Sequence, residues 1–162
     1  MPIAPGHRLP DFEAEGIDGQ LISTRRYYLR SGLVVVFTHA WPCAACRAYL
    51  SELDQHLPEF RAERMEVLAI VPLVRTLVVD WGERVPRFPI ALAEGSELHR
   101  RFGWLVGEET PAAALLVADD TGTVWQAWNA GDGHELPDIG ELLAWVRYVS
   151  YQCPECWETS RW

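Results

Sequence analysis

The run Gly32-Leu33-Val34-Val35-Val36-Phe37, continued by Thr38-His39-Ala40-Trp41-Pro42 and then Cys43-Ala44-Ala45-Cys46, decides the fold. Its apolar part carries no polar alternation, the pattern of a strand buried on both faces. From Cys43 onward the apolar positions fall at Cys46, Leu50, Leu53, Leu57 and Phe60, a helical spacing that Pro58 kinks or breaks late on. A Cys-x-x-Cys pair therefore sits where a buried strand hands over to a helix. Its spacing puts both sulfurs on one side of the first turn, close enough to bond after a small rotation. The unpaired N–H groups and positive dipole end of that helix stabilise a thiolate, so a Cys pKa of about 8.5 is expected to fall toward ~7 or lower. Such a thiolate attacks disulfides and peroxides, and its neighbour resolves the adduct. The competing readings are two buried apolar cysteines or half of a metal site. The strand–helix context favours redox chemistry.

Outward from this junction, residues 1–32 carry loop signals (Pro2, Pro5, Gly6, Pro10, Gly16, Gly19) and at most a short hairpin around Phe12 to Ile22. Val67 to Val71 reads as a second buried strand, Leu73 to Trp81 as a short helix and Phe88 to Leu92 as a short strand. Ser96 is placed to cap a helix through Phe102 that Gly103 ends. Ala112 to Ala118 and Thr123 to Trp128 flank Asp119-Asp120-Thr121-Gly122, which is turn chemistry, so they form a hairpin. Ile139, Leu142, Leu143, Val146 and Val149 mark a final amphipathic helix with Pro137 near its first turn. Strand, helix, strand, helix, hairpin, helix gives an α/β layer with a mixed sheet and helices on both faces. Neither repeats nor linkers divide the chain, which reads as one domain over residues 1–150 and a tail over 151–162.

Composition narrows the partners. Of 162 residues 49% are hydrophobic, enough for a core. All 14 basic residues are Arg, the net charge is −9 and no basic stripe exists, so a nucleic-acid partner is not expected. The longest apolar stretches, Leu33 to Phe37 and Ala112 to Ala118, are too short to cross a bilayer. The start Met1-Pro2-Ile3-Ala4-Pro5-Gly6-His7 has no export-signal pattern, and a cytoplasmic location is expected. Four cysteines are too few for a disulfide-stapled secreted scaffold; all lie in Cys-x-x-Cys pairs, Cys43/Cys46 and Cys153/Cys156.

The sequence also resembles a known family. Pro5-Gly6, Pro10-Asp11-Phe12 and Asp18-Gly19 are similar to the N-terminal signature of peroxiredoxins of the alkyl hydroperoxide reductase/thiol-specific antioxidant group. Val34 to Phe37 with Cys46 beyond it resembles that family's strand and active-site Cys, and Glu66 to Val71, Phe88-Pro89-Ile90 and Asp119 to Val124 resemble its later strands. The resemblance spans roughly residues 5–150. It implies a thioredoxin-like fold with N-terminal additions and a thiol-based oxidoreductase. Peroxiredoxins place Pro seven residues and Thr or Ser three residues before the peroxidatic Cys, where this chain has His39 and Cys43. The family's Arg would fall just before the hairpin strand, where Ala112-Ala113-Ala114 stands. Without that hydroxyl and guanidinium the charge developing on the O–O bond lacks its usual stabilisers. Trp41 to Cys46, by contrast, resembles the dithiol of thioredoxin-like reductases with one residue inserted after Trp41, and Thr110-Pro111 resembles the cis-Pro segment that faces such a dithiol.

The expected function is thiol-disulfide oxidation and reduction at Cys43/Cys46. Cys43 attacks in the thioredoxin frame and Cys46 in the peroxiredoxin frame; for disulfide substrates Cys43 is preferred. Trp41, Thr110 and Pro111 are expected to contact substrate, and His39 is a candidate for proton transfer. His134, before the last helix, lies at the active-site end in this fold, but most loop histidines carry no role and it is left aside. The expected partners are a protein disulfide or hydroperoxide and a thiol reductant; no cofactor is expected. Two alternatives stand beside this: a hydroperoxide-reducing enzyme using Cys46 or Cys43, and a non-catalytic zinc protein using both Cys-x-x-Cys pairs. Cys153-Pro154-Glu155-Cys156 resembles half a zinc ribbon, or acts as a secondary dithiol. A last helix from 138 to 150 carries the chain roughly 20 Å from the dithiol end, and the residues up to Cys153 return at most ~10 Å. Contact between the pairs is therefore expected only across a homodimer.

Overall fold

In the computed structural model, which describes residues 1–40, 43–72 and 85–152, the run around Val35 is strand β3 (Gly32–Phe37), and all six of its residues are buried. It pairs in parallel with β4 (Met65–Pro72), Val35 opposite Leu68, and antiparallel with β8 (Ala114–Ala118), Val35 opposite Leu116. β4 continues in parallel to β5 (Ile90–Ala93), and β8 turns back into β9 (Val124–Asn129). A hairpin of β1 (Glu13–Gly16) and β2 (Leu21–Ser23) joins through β1 to β5. The sheet is mixed and seven-stranded, in the order β2-β1-β5-β4-β3-β8-β9. Gly32 starts β3 because a Cβ there would come 2.8 Å from the Ala118 carbonyl oxygen.

Strand alternation distributes the two cores. Val34, Val36, Val67, Ala69 and Val71 meet α1 (Ala44–Gln55), α2 (Leu57–Ala62) and α4 (Ile139–Ser150) through Leu50, Leu53, Leu57, Phe60, Leu142 and Val146. Leu33, Val35, Phe37, Leu68 and Ile70 face the other side, where α3 (Glu97–Phe102) contributes Leu98 and Phe102, with Phe12 and Trp104 beside them. The expected α/β sandwich, thioredoxin-like with an N-terminal extension, is what forms. Each fully buried Leu or Phe contributes about 1.5–3 kcal/mol.

Local differences have local causes. The helix from Cys43 breaks at His56, and Pro58 lies in the first turn of α2, where its missing N–H costs nothing. Ser96 precedes α3 without a side-chain cap, while Gly103 closes it at φ 73°. The strand expected at Phe88 to Leu92 begins at Ile90. Ala112 and Ala113 precede β8, and a short ladder of β6 (Leu105–Val106) and β7 (Thr110–Pro111) forms ahead of them, which no alternation announced. Asp138 caps α4 by accepting from the Glu141 N–H at 2.8 Å. The helix expected over 73–81 lies outside the described residues. Among the described residues no helix is long and apolar enough to cross a membrane.

Candidate active site

Past Phe37 the chain leaves the sheet through Thr38, whose N–H donates to the Ile70 carbonyl at 3.1 Å. Its own carbonyl lies 2.8 Å from Nε2 of His99 in α3, which places the imidazole proton on Nε2. His99 is fully buried against Phe37, with ring centroids 5.0 Å apart, and burial pushes its pKa down to about 4. It is a neutral strut that fixes the residue before His39.

Cys43 caps α1. Its backbone is extended (φ −67°, ψ 120°), and its Sγ accepts from the Cys46 N–H at 3.5 Å, as a Ser or Asp oxygen does elsewhere. Cys43 is half-buried and Cys46 is 7% exposed; both are free thiols. Burial is the main reason that the Cys46 thiol is pushed up to about 11, and the neighbouring Cys43 adds to it. The thiolate expected of the pair is therefore not favoured at Cys46, where desolvation outweighs the helix end.

Each sulfur has a histidine. His39 Nδ1 is 3.2 Å from Cys46 Sγ, and His134 Nδ1 is 3.9 Å from Cys43 Sγ. The two imidazoles are 4.5 Å apart between centroids. Burial first and His134 second push the His39 pKa down, so His39 is an imidazole able to accept a proton. The sequence places His134 at the active-site end but, as one loop histidine among others, leaves it without a role; the structure brings it to Cys43 across 91 residues of chain. Its loop is tied to α1 by Tyr49, whose hydroxyl donates to the Pro137 carbonyl at 2.8 Å; burial pushes the Tyr49 pKa up, so the donor stays protonated. The ligating atoms of His39, Cys43, Cys46 and His134 all lie within 4.8 Å of one another.

Thr110 and Pro111 form β7 and lead toward Ala114, which pairs with Phe37, so they approach the end of the sheet that carries the dithiol. Ala112 to Ala114 are buried and supply no guanidinium. Trp41, Cys153 and Cys156 lie outside the described residues. A cavity of about 910 Å³ opens at the other end of the sheet, beside Gly32, Met65, Asp119 and Gln152.

The model of the AhpC/TSA family matches residues 5–127. The chain belongs to the AhpC/TSA family. It is a thiol-dependent oxidoreductase, peroxiredoxin-like and of thioredoxin fold. No curated protein matches its sequence. Among solved structures, the reduced 2-Cys peroxiredoxin of Plasmodium vivax superposes with a TM-score of 0.77 at 14% identity, covering 92% of this chain and 98% of that one. Peroxidoxin BcpB from Mycobacterium tuberculosis gives 0.77 at 18% identity, covering 91% and 98%. AhpC from Mycobacterium tuberculosis gives 0.77 at 14%, covering 97% and 99%. At these identities the likeness speaks for the fold.

Proposed function

We propose that this member of the family is a thiol-disulfide oxidoreductase in which Cys43 attacks and Cys46 resolves. The position of Cys43 carries the reading: it is the more exposed sulfur and takes the Cys46 N–H at the start of α1. The Cys43 thiolate attacks one sulfur of a protein disulfide, forming a mixed disulfide and releasing the first substrate thiol once the leaving sulfur takes up a proton. The Cys46 thiol then passes its proton to His39 Nδ1, 3.2 Å away. The resulting thiolate attacks the Cys43 sulfur, a Cys43–Cys46 disulfide forms, and the second substrate thiol leaves. A thiol reductant restores the dithiol, and no cofactor takes part. Trp41, Thr110 and Pro111 are proposed to contact the substrate. A cycle that starts from the dithiol suits a reducing compartment such as the cytoplasm. In insulin reduction, Cys43→Ser is expected to abolish turnover; unchanged turnover would remove the assignment.

Family membership favours a second reading, peroxide reduction. The Cys that stands where the family's peroxidatic Cys would be is Cys46, buried and held as a thiol, and the family's hydroxyl is replaced by the Cys43 sulfur. Stopped-flow Trp fluorescence with hydrogen peroxide separates the two readings. A rate no faster than that of a free thiol is expected; a much faster one favours the peroxidase.

A further inference from the structure

Two sulfurs and two imidazole nitrogens converge where a single disulfide exchange needs two sulfurs and one base. His39 accounts for the base, and the dithiol cycle leaves His134 without work. Its ring nevertheless sits 4.5 Å from that of His39 with Nδ1 toward Cys43 Sγ, on a loop tied down by Tyr49. We propose that His39, Cys43, Cys46 and His134 form a four-ligand site for a tetrahedral zinc ion, filled while the dithiol is reduced.

The distances fit that ion. With Zn–S of about 2.3 Å and Zn–N of about 2.0 Å, the edges of the coordination tetrahedron run from about 3.3 to 3.8 Å. The observed pairs of 3.2 Å (His39 Nδ1 to Cys46 Sγ) and 3.9 Å (His134 Nδ1 to Cys43 Sγ) bracket this range, and the widest spread among the four atoms is 4.8 Å. The N₂S₂ donor set selects zinc over the hard cations magnesium and calcium, which take oxygen. Cys46 is buried while His134 is exposed, so the ion has a rigid floor and an open approach. This ligand set differs from a site made of both Cys-x-x-Cys pairs: the second half comes from two histidines of the same domain, not from the tail.

Zinc and disulfide exclude one another. When a disulfide substrate oxidises the pair, the two thiolates give up two electrons, the Cys43–Cys46 bond forms and the substrate S–S bond breaks. The substrate leaves as two thiols with two protons from water, and no thiolate remains to hold the ion. Only this release step rests on the oxidoreductase reading; the binding site does not.

The test uses the full chain carrying Cys153→Ser and Cys156→Ser, reduced and stripped of metal, so that the only sulfur ligands are Cys43 and Cys46. Cobalt(II) serves as the optical probe and zinc as its competitor. One equivalent is expected to bind with the visible bands of tetrahedral cobalt and sulfur-to-cobalt charge transfer, and zinc should displace it. His39→Ala and His134→Ala should each weaken binding by at least the 10–100-fold seen on loss of outer-shell partners. Circular dichroism of both variants controls for folding. An octahedral spectrum, binding no tighter than that of free dithiothreitol, or equal affinity in a folded His134→Ala would overturn the site. Insulin reduction on the same samples keeps the two readings apart. With turnover measured on the metal-free, reduced sample, turnover without zinc binding sinks the metal site alone, and zinc binding without turnover upholds it while sinking the disulfide-exchange reading.

Discussion

The two ends of the central sheet differ in kind. Where β3 ends, two cysteines and two histidines from the strand end, the start of α1 and the loop before α4 meet within 4.8 Å. Where β3 begins, a cavity of about 910 Å³ is lined by Gly32, Met65, Asp119 and the last residues of α4, and among the described residues no cysteine lines it. Volume and chemistry have separated. A dithiol that acts on a protein disulfide needs an exposed sulfur, not a deep pocket, because its substrate arrives on another surface. The chemistry is at the end of the sheet where a helix N-terminus can stabilise an anion.

The sharpest way to break the comparison is to remove one sulfur and one cavity residue. Cys43→Ser should lower disulfide reduction by about 100-fold or more, whereas Gln152→Ala at the cavity rim should leave it unchanged within about twofold. Loss of turnover in the cavity variant would move the working site to the wrong end. Next in size is the core between them. Leu53→Ala is expected to cost about 2–5 kcal/mol in urea unfolding, because Leu53 is fully buried under the sheet.

His99 should make stability depend on pH. Its pKa is lowered from 6.5 to about 4 in the folded chain, so the unfolded chain binds more protons between these values. Its contribution is full above about pH 6.5 and is lost as the pH falls through about 4, amounting to about 3 kcal/mol at most. Urea unfolding at pH 7, 5.5 and 4 should show a shallower acid loss in His99→Leu than in the parent; parallel slopes would remove this role. The smallest effect is at the last helix. Asp138→Ala should cost about 1 kcal/mol through the lost cap, measured by thermal unfolding.

Much of the fold was legible because one-dimensional patterns carry it. The unbroken run of β3, the i, i+3, i+4 spacing of α1 and α4 and the Asp119 to Gly122 turn each encode their own element. Pairing between elements was not legible. The β1–β5 ladder and the β6–β7 ladder join short segments without a period of their own. The same holds in the site: Cys43 and Cys46 are visible from their spacing and His39 from its nearness to them. His134 and Tyr49 become functional only when the loop before α4 closes on the start of α1, and the raised Cys46 pKa depends on burial that spacing does not report.

The attacking sulfur is tested most directly by trapping. Full chain carrying Cys46→Ser, reduced and mixed with a disulfide substrate, should accumulate a mixed disulfide located on Cys43 by peptide mass spectrometry, while Cys43→Ser under the same conditions should accumulate none at Cys46. A stable adduct at Cys46 in Cys43→Ser, with none at Cys43 in Cys46→Ser, would contradict the account.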